Sequence, residues 1–269
     1  IIHALIVNIT IFAFAYKFPK YKFYFVLLFL ISKFWYFEFE IQREVLAICA
    51  FLISFEYLKN KQYLKYFAIA LVAFLFHVSA LFLFIIPILL PITQYLSQKS
   101  SITFILIISI LLFVISHNII FGINNIVGNY IEDIYLQGQS YFDKEINIYG
   151  LIKNTIDSLF ILLLIGIRKN EKKEYDFLDN FLIIMLFISI LGISIEGIYR
   201  LKNYLYLFYL LAIIDISKVK LKFVKSKVGL FLIYLYFMID LIYYYSTPAP
   251  FLGPNKKLIS AFYPYISIF

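Results

Sequence analysis

Apolar runs long enough to cross a bilayer as a helix, which takes about 17 to 25 residues, alternate with short charged clusters along the whole chain. The runs fall near 1–16, 23–37, 43–58, 63–76 with 78–96, 102–121, 151–167, 177–195, 199–217 and 228–246. Their richness in Ile and Phe would suit strands in water. In lipid, however, every backbone polar group must be satisfied within the protein, which leaves helices or a closed barrel. A barrel strand alternates polar and apolar positions, and these runs do not. The predicted fold is therefore all-α: a single integral membrane domain over 1–269, built as a polytopic transmembrane bundle of about 9–10 segments.

The charged clusters orient the bundle. Lys17, Lys20 and Lys22; Lys59, Lys61 and Lys65; Arg168, Lys169, Lys172 and Lys173; and Lys218, Lys220, Lys222, Lys225 and Lys227 are expected on the cytoplasmic side by the positive-inside rule. The segment 122–150 carries Glu132, Asp133, Asp143 and Glu145 against Lys144 alone, and is expected to be an extracytoplasmic loop. These assignments agree only if the stretch 63–96 is two segments. A break or re-entrant turn near His77-Val78-Ser79 supplies the extra crossing, and such a break is tolerated where it is buried in protein or lines a wet cavity. With that parity, Arg43, His77, the acidic loop, Glu196, Arg200 and Lys202 share the extracytoplasmic side.

Composition removes the soluble alternatives. Hydrophobic residues make up 63% of the chain and the mean hydropathy is +0.90, values that no single soluble core explains. The net charge of +8 raises the question of nucleic acid. Because the cations sit between apolar runs rather than in a continuous basic face, the expected partner is membrane lipid and not nucleic acid. Cys49 is the sole cysteine, so no intrachain disulfide forms. No Cys/His cluster has zinc-ligand spacing, and neither metal nor cofactor is expected. Ile1 opens directly in an apolar run without an initiating Met or a signal-peptide pattern, which points to a chain lacking its N-terminal part.

Ionisable residues inside apolar sequence are costly in lipid and mark candidate sites. Arg43 follows Gln42 at the start of one run, Tyr57-Leu58-Lys59 closes it, and Phe76-His77-Val78-Ser79-Ala80 interrupts the next. Later come Arg200-Leu201 with Tyr204 three residues on, and a terminal Tyr263-Pro264-Tyr265. In this order the elements resemble the EpsG family, the Wzy-like polymerases of bacterial capsular polysaccharide and exopolysaccharide.

The resemblance implies an enzyme of glycosyltransferase type in the bacterial cytoplasmic membrane. It would join lipid-linked oligosaccharide repeats, carried on undecaprenyl diphosphate, at the outer face, with a flippase and a chain-length regulator as partners. The leaving group is then a diphosphate. Guanidinium groups bind phosphate oxygens in pairs and stay charged, which nominates Arg43 and Arg200 as its clamp with Lys202 in support. His77, with a reference pKa near 6.5, is the expected base for the acceptor hydroxyl, ahead of Glu196, Asp133 and Asp143. Tyr130, Tyr135, Tyr141 and Tyr204 are the aromatic residues placed to meet sugar. Each position also has a structural reading: Arg43, Arg200 and Lys202 as interfacial anchors, His77 as a packing hydrogen bond, and the acidic loop as solvated charge. The competing function is a transporter or flippase of lipid-linked glycans, which internal repeats and charge lining a path across the membrane would favour.

Overall fold

The computed structural model describes residues 2–18, 22–32, 42–99, 101–115, 148–171, 177–194, 196–218, 235–238 and 242. They are helical. The elements are α1 (Ile2–Tyr16), α2 (Lys22–Ile31), α3 (Gln42–Lys59), α4 (Tyr63–Phe76), a 3₁₀ turn (Val78–Ala80) and α5 (Leu81–Lys99). There follow α6 (Ile102–Ile115), α7 (Ile148–Glu171), α8 (Phe177–Ser194), a 3₁₀ turn (Glu196–Leu201) and α9 (Lys202–Lys218). Among the described residues, one helix, Val78–Gln98 counted with its leading turn, is both long and apolar enough to cross a membrane; Ile2–Tyr16, Tyr63–Phe76, Ile102–Ile115 and Phe177–Ile193 are apolar but shorter.

Helix α9 is the centre of the bundle, for residues 204–214 are buried without interruption. A helix that is apolar on every side has nowhere else to go. Against it lie α3 and α8, and the three meet in an aromatic cluster. Phe181 and Phe208 have ring centroids 4.4 Å apart, Phe55 and Phe208 4.8 Å, and Phe14 of α1 reaches Phe208 at 5.0 Å. Such pairs contribute about 0.5–1.5 kcal/mol each beyond burial. The outer helices turn large apolar side chains outward: Leu64 is 87% exposed, and Leu75 and Phe23 are each 72% exposed. Water rarely faces a continuous apolar surface of this kind.

Contacts between helix ends sort the bundle into two poles. At one pole Lys17 pairs with Glu56 at 3.2 Å, Phe55 meets Phe177, Lys169 donates to the Leu96 carbonyl at 2.9 Å, and Arg168 binds Asp179 and Asp215. At the other, His3 meets the Gln42 carbonyl at 3.1 Å, Arg43 donates to the Phe76 carbonyl, Asn203 to Glu44, and Asn154 to the Gly192 carbonyl. Each helix named at both poles therefore runs from one to the other, and the direction of α4 and α5 reverses at the expected break. His77 has φ −152° and ψ 133°, an extended conformation that ends α4. Helix α5 then folds back: Phe67 and Phe84 stack at 5.8 Å.

Local chemistry fixes the turn into this hairpin and the tie across it. After α3, the Gln62 N–H bonds the Tyr57 carbonyl and the Lys61 N–H bonds the Leu58 carbonyl, the two reciprocal bonds of a Schellman stop. Lys61 takes the left-handed conformation (φ 57°) that this motif requires and that glycine would adopt more cheaply. Within α5, Pro87 removes the N–H that would bond the Leu83 carbonyl four residues earlier. The fully buried Tyr66 hydroxyl donates to that carbonyl at 2.7 Å, which ties α4 to α5 at the point where proline left an acceptor open.

Within the basic cluster that starts at Arg168, Arg168 itself is 2% exposed and held between Asp179 and Asp215, carboxylates of the same helix-end knot that neutralise it. Expectations on Lys20, Lys172, Lys173, the cluster 220–227 and the loop 122–147 lie outside the described residues.

Candidate functional site

The break after α4 opens the pole where the sequence-nominated residues gather. Helix α4 ends at Phe76 with carbonyls that its own ladder no longer satisfies. Arg43, exposed in the first turn of α3, donates its Nε to the Phe76 carbonyl at 3.2 Å. Its Nη groups have no hydrogen-bond partner among the described residues. The guanidinium is thus anchored through Nε while the rest of the fork faces outward.

His77 is held by the residue two positions on. Its Nδ1 accepts the backbone N–H of Ser79 at 3.2 Å and lies 2.6 Å from Ser79 Oγ. Ser79 Oγ is in turn 2.9 Å from the Tyr204 hydroxyl. A backbone N–H can only donate, so Nδ1 is the unprotonated nitrogen of a neutral ring and Nε2 carries the hydrogen. The chain then runs in one direction: Tyr204 O–H donates to Ser79, and Ser79 O–H donates to Nδ1. Burial first, then the Arg200 and Arg43 guanidiniums, holds His77 below the ordinary imidazole value and favours that neutral form. Nε2–H has no partner among the described residues, so the ring offers a donor. The base role expected of His77 needs a free lone pair, and Ser79 occupies the one available.

Arg200 is exposed on the 3₁₀ turn before α9 and lies within electrostatic reach of both His77 and Glu44. Arg43, His77 and Arg200 are thereby brought together as the sequence predicts. Tyr204 joins them differently from expectation. It is 0% exposed, with Phe51 and Phe82 rings against it, and acts through Ser79 instead of meeting sugar. Lys202 is also turned inward: its ammonium is buried against Asp157 at 3.0 Å and Asn154 at 3.1 Å on α7, and Asp157 accepts the Tyr236 hydroxyl at 2.6 Å. An ammonium so compensated is a structural cation at the edge of the site. Glu196 lies on the same 3₁₀ turn as Arg200. Asp133, Asp143, Tyr130, Tyr135 and Tyr141 lie outside the described residues.

Four participants were not nominated from sequence: Glu44, Asn203, Asn154 and Asp157. Asn203 Nδ2 donates to Glu44 Oε1 at 3.3 Å, and Glu44 is wholly buried. The signal for Glu44 was present, a carboxylate one residue after Arg43 in an apolar run. The polar spacing Lys153-Asn154 and Asp157 within α7 was likewise visible as charge inside a span. No group of His, Cys, Asp and Glu among the described residues could hold a metal ion.

Chemically, the outward part of this cluster consists of donors: the Arg43 fork, His77 Nε2–H and the Arg200 guanidinium. Such a set takes an acceptor-rich anion. Comparison with known protein families matches the chain to the model described as the EpsG family, over residues 1–267. No curated protein and no solved structure matches the chain.

Proposed function

The chain belongs to the EpsG family, and from that premise we propose that it is a multi-pass protein of the bacterial cytoplasmic membrane that polymerises lipid-linked oligosaccharide repeats. The observation that carries this reading is the donor cluster of Arg43, His77 and Arg200 at a helix break, on the pole opposite Lys17, Lys59 and Lys169. If the basic pole is cytoplasmic, the cluster is at the outer face, where glycan repeats on undecaprenyl diphosphate are joined. The apolar side chains of the outer helices support the membrane placement, since lipid is the solvent they fit.

In the reaction, a hydroxyl of the acceptor repeat bonds to the anomeric carbon of the lipid-linked donor chain, the bond from that carbon to the diphosphate oxygen breaks, and the hydroxyl proton passes to the departing diphosphate or to water. The diphosphate leaves with the electron pair. Charge grows on its oxygens as the bond lengthens, and donors fixed in advance stabilise that growth more than they stabilise the bound donor. Arg43 and Arg200 supply guanidinium N–H groups, and His77 supplies Nε2–H, directed by Ser79 and Tyr204. The Lys202–Asp157 pair holds α9 to α7 beside them. Membranes carrying the chain, given lipid-linked single repeats, are expected to convert them to longer glycans, and an unchanged repeat length would remove the polymerase reading. A flippase would move the same lipid without lengthening its glycan.

A further inference from the structure

The pole opposite the donor cluster holds a cavity of about 320 Å³, where the ends of α1 and α3 meet the start of α8. Small-ligand sites occupy about 300–1,000 Å³. Phe18, Phe55 and Phe177 supply its apolar lining, the last two packed edge to face at 5.4 Å. Lys17, Glu56 and Lys59 line the same space. Glu56 and Lys59 stand three positions apart at the end of α3, which puts them on one face of that helix. Lys17 arrives from α1, whose end is closed by the Lys17 N–H on the Phe14 carbonyl at 3.1 Å, and its ammonium meets Glu56 at 3.2 Å. An ammonium has three N–H groups, and that ion pair leaves Lys17 with more to give. Its side chain is 37% exposed. Lys59 makes no ion pair among the described residues, so two cations share one carboxylate beside an aromatic lining.

We infer that this cavity binds the headgroup of an anionic membrane phospholipid, with Lys17 and Lys59 on its phosphate and the phenylalanines against the glycerol and the first acyl carbons. The inference rests on the membrane placement proposed above and not on the polymerase reading. Charge selects an anion, since the lining carries one more cation than carboxylates. Basic pockets between helices at a cytoplasmic face are where anionic headgroups bind. The phenylalanines select an amphiphile, because free phosphate has no apolar part to set against them. Glu56 is engaged by Lys17, which disfavours a zwitterionic headgroup that would need the carboxylate for its own ammonium. A lipid so held bridges α1, α3 and α8, three elements far apart in sequence.

The test is a titration of the full chain in detergent with phosphatidylglycerol, phosphatidylethanolamine or inorganic phosphate, read by native mass spectrometry. Wild type is expected to retain one phosphatidylglycerol more tightly than either of the others. Lys17→Gln with Lys59→Gln is expected to weaken that binding about tenfold or more, whereas Lys61→Gln with Lys65→Gln, which removes the same charge from residues outside the cavity, should change it less than about twofold. Equal weakening by the two double variants would overturn the site in favour of diffuse attraction to the pole. Phosphatidylethanolamine or inorganic phosphate binding as tightly as phosphatidylglycerol would overturn the anionic lipid. If the cavity variant fails to accumulate, phosphatidylglycerol with a photoreactive headgroup is crosslinked to wild type in vesicles. Label is expected on residues 17–18, 55–59 and 177–178, and label confined to other residues overturns the proposal. Recovery of wild type in the soluble fraction would overturn the membrane placement, and this site with it.

Discussion

Ser79 and Tyr204 are joined hydroxyl to hydroxyl at 2.9 Å, so that the break between α4 and α5 is held by the first turn of the central helix. One bond links the two parts of the sequence that carry the family's most telling residues, and it makes the orientation of His77 depend on α9.

Removing the link is expected to loosen the site before it loosens the fold. Ser79→Ala takes the hydroxyl donor from His77 Nδ1, leaving only the backbone N–H, and strands the buried Tyr204 hydroxyl, a loss of about 1–3 kcal/mol in stability. Tyr204→Phe removes the hydroxyl but leaves Ser79 able to donate to His77, so its effect on polymer yield is expected to be the smaller. Thermal unfolding in detergent and polymer length, measured on the same preparations, check this order; equal effects on yield would detach Tyr204 from His77.

His77 acts as a donor in this account, and two substitutions separate that from a base. Glutamine can still donate an N–H, so His77→Gln is expected to keep activity within about tenfold of wild type, whereas loss of a general base costs about 100- to 10,000-fold. The ring's depressed affinity for protons also has a sign. The unfolded chain protonates more readily than the fold, so the stability contributed by the neutral ring is complete above about pH 6.5 and is lost as pH falls through the lower folded value. Wild type should therefore lose thermal stability faster than His77→Gln on acidification below that point. Coincident curves would contradict the neutral ring.

Tyr66 answers a specific backbone deficit. Tyr66→Phe leaves the Leu83 carbonyl open opposite Pro87 and is expected to cost about 1–3 kcal/mol, while Tyr66→Phe combined with Pro87→Ala restores the helical bond and recovers most of it. Unfolding midpoints of the single and double variants measure the rescue. An additive double variant would show that the tyrosine and the proline are unrelated.

How much of this was legible in the sequence follows from which residues act locally. The break at His77 could be read because charge parity along the chain demanded it, and the helices followed from apolar run length. Arg43, His77 and Arg200 stood out as ionisable groups in apolar surroundings. Side-chain direction was the part that could not be read. Lys202 and Tyr204 lie next to Arg200 in sequence, but the helical turn sends them to α7 and to Ser79, away from the open side. Arg168 could be read only as one cation of a basic cluster, because its partners, Asp179 and Asp215, are distant in sequence. Glu44 stood in view beside Arg43, but its direction did not: adjacent residues on a helix do not face one another, and Glu44 turns inward to Asn203.

Sidedness is the next consequence of the two poles. Cysteine at Asp133 or at Lys17, each in a Cys49→Ala background, is expected to react with an impermeant thiol reagent from opposite sides of the membrane: the first in intact spheroplasts, the second only after opening them. Labelling of both from one side would break the polarity on which the outer-face assignment depends.

The central claim is that Arg43 and Arg200 hold a diphosphate during glycan transfer, and the most direct measurement is polymer length from lipid-linked single repeats in membranes carrying wild type, Arg43→Lys or Arg200→Lys at equal protein level. A guanidinium fork makes two parallel bonds where an ammonium makes one point contact. A ladder of repeats is expected for wild type, and one shortened to the first few steps, with single repeats accumulating, for either lysine variant. A full ladder from both variants, or none from wild type, would contradict it.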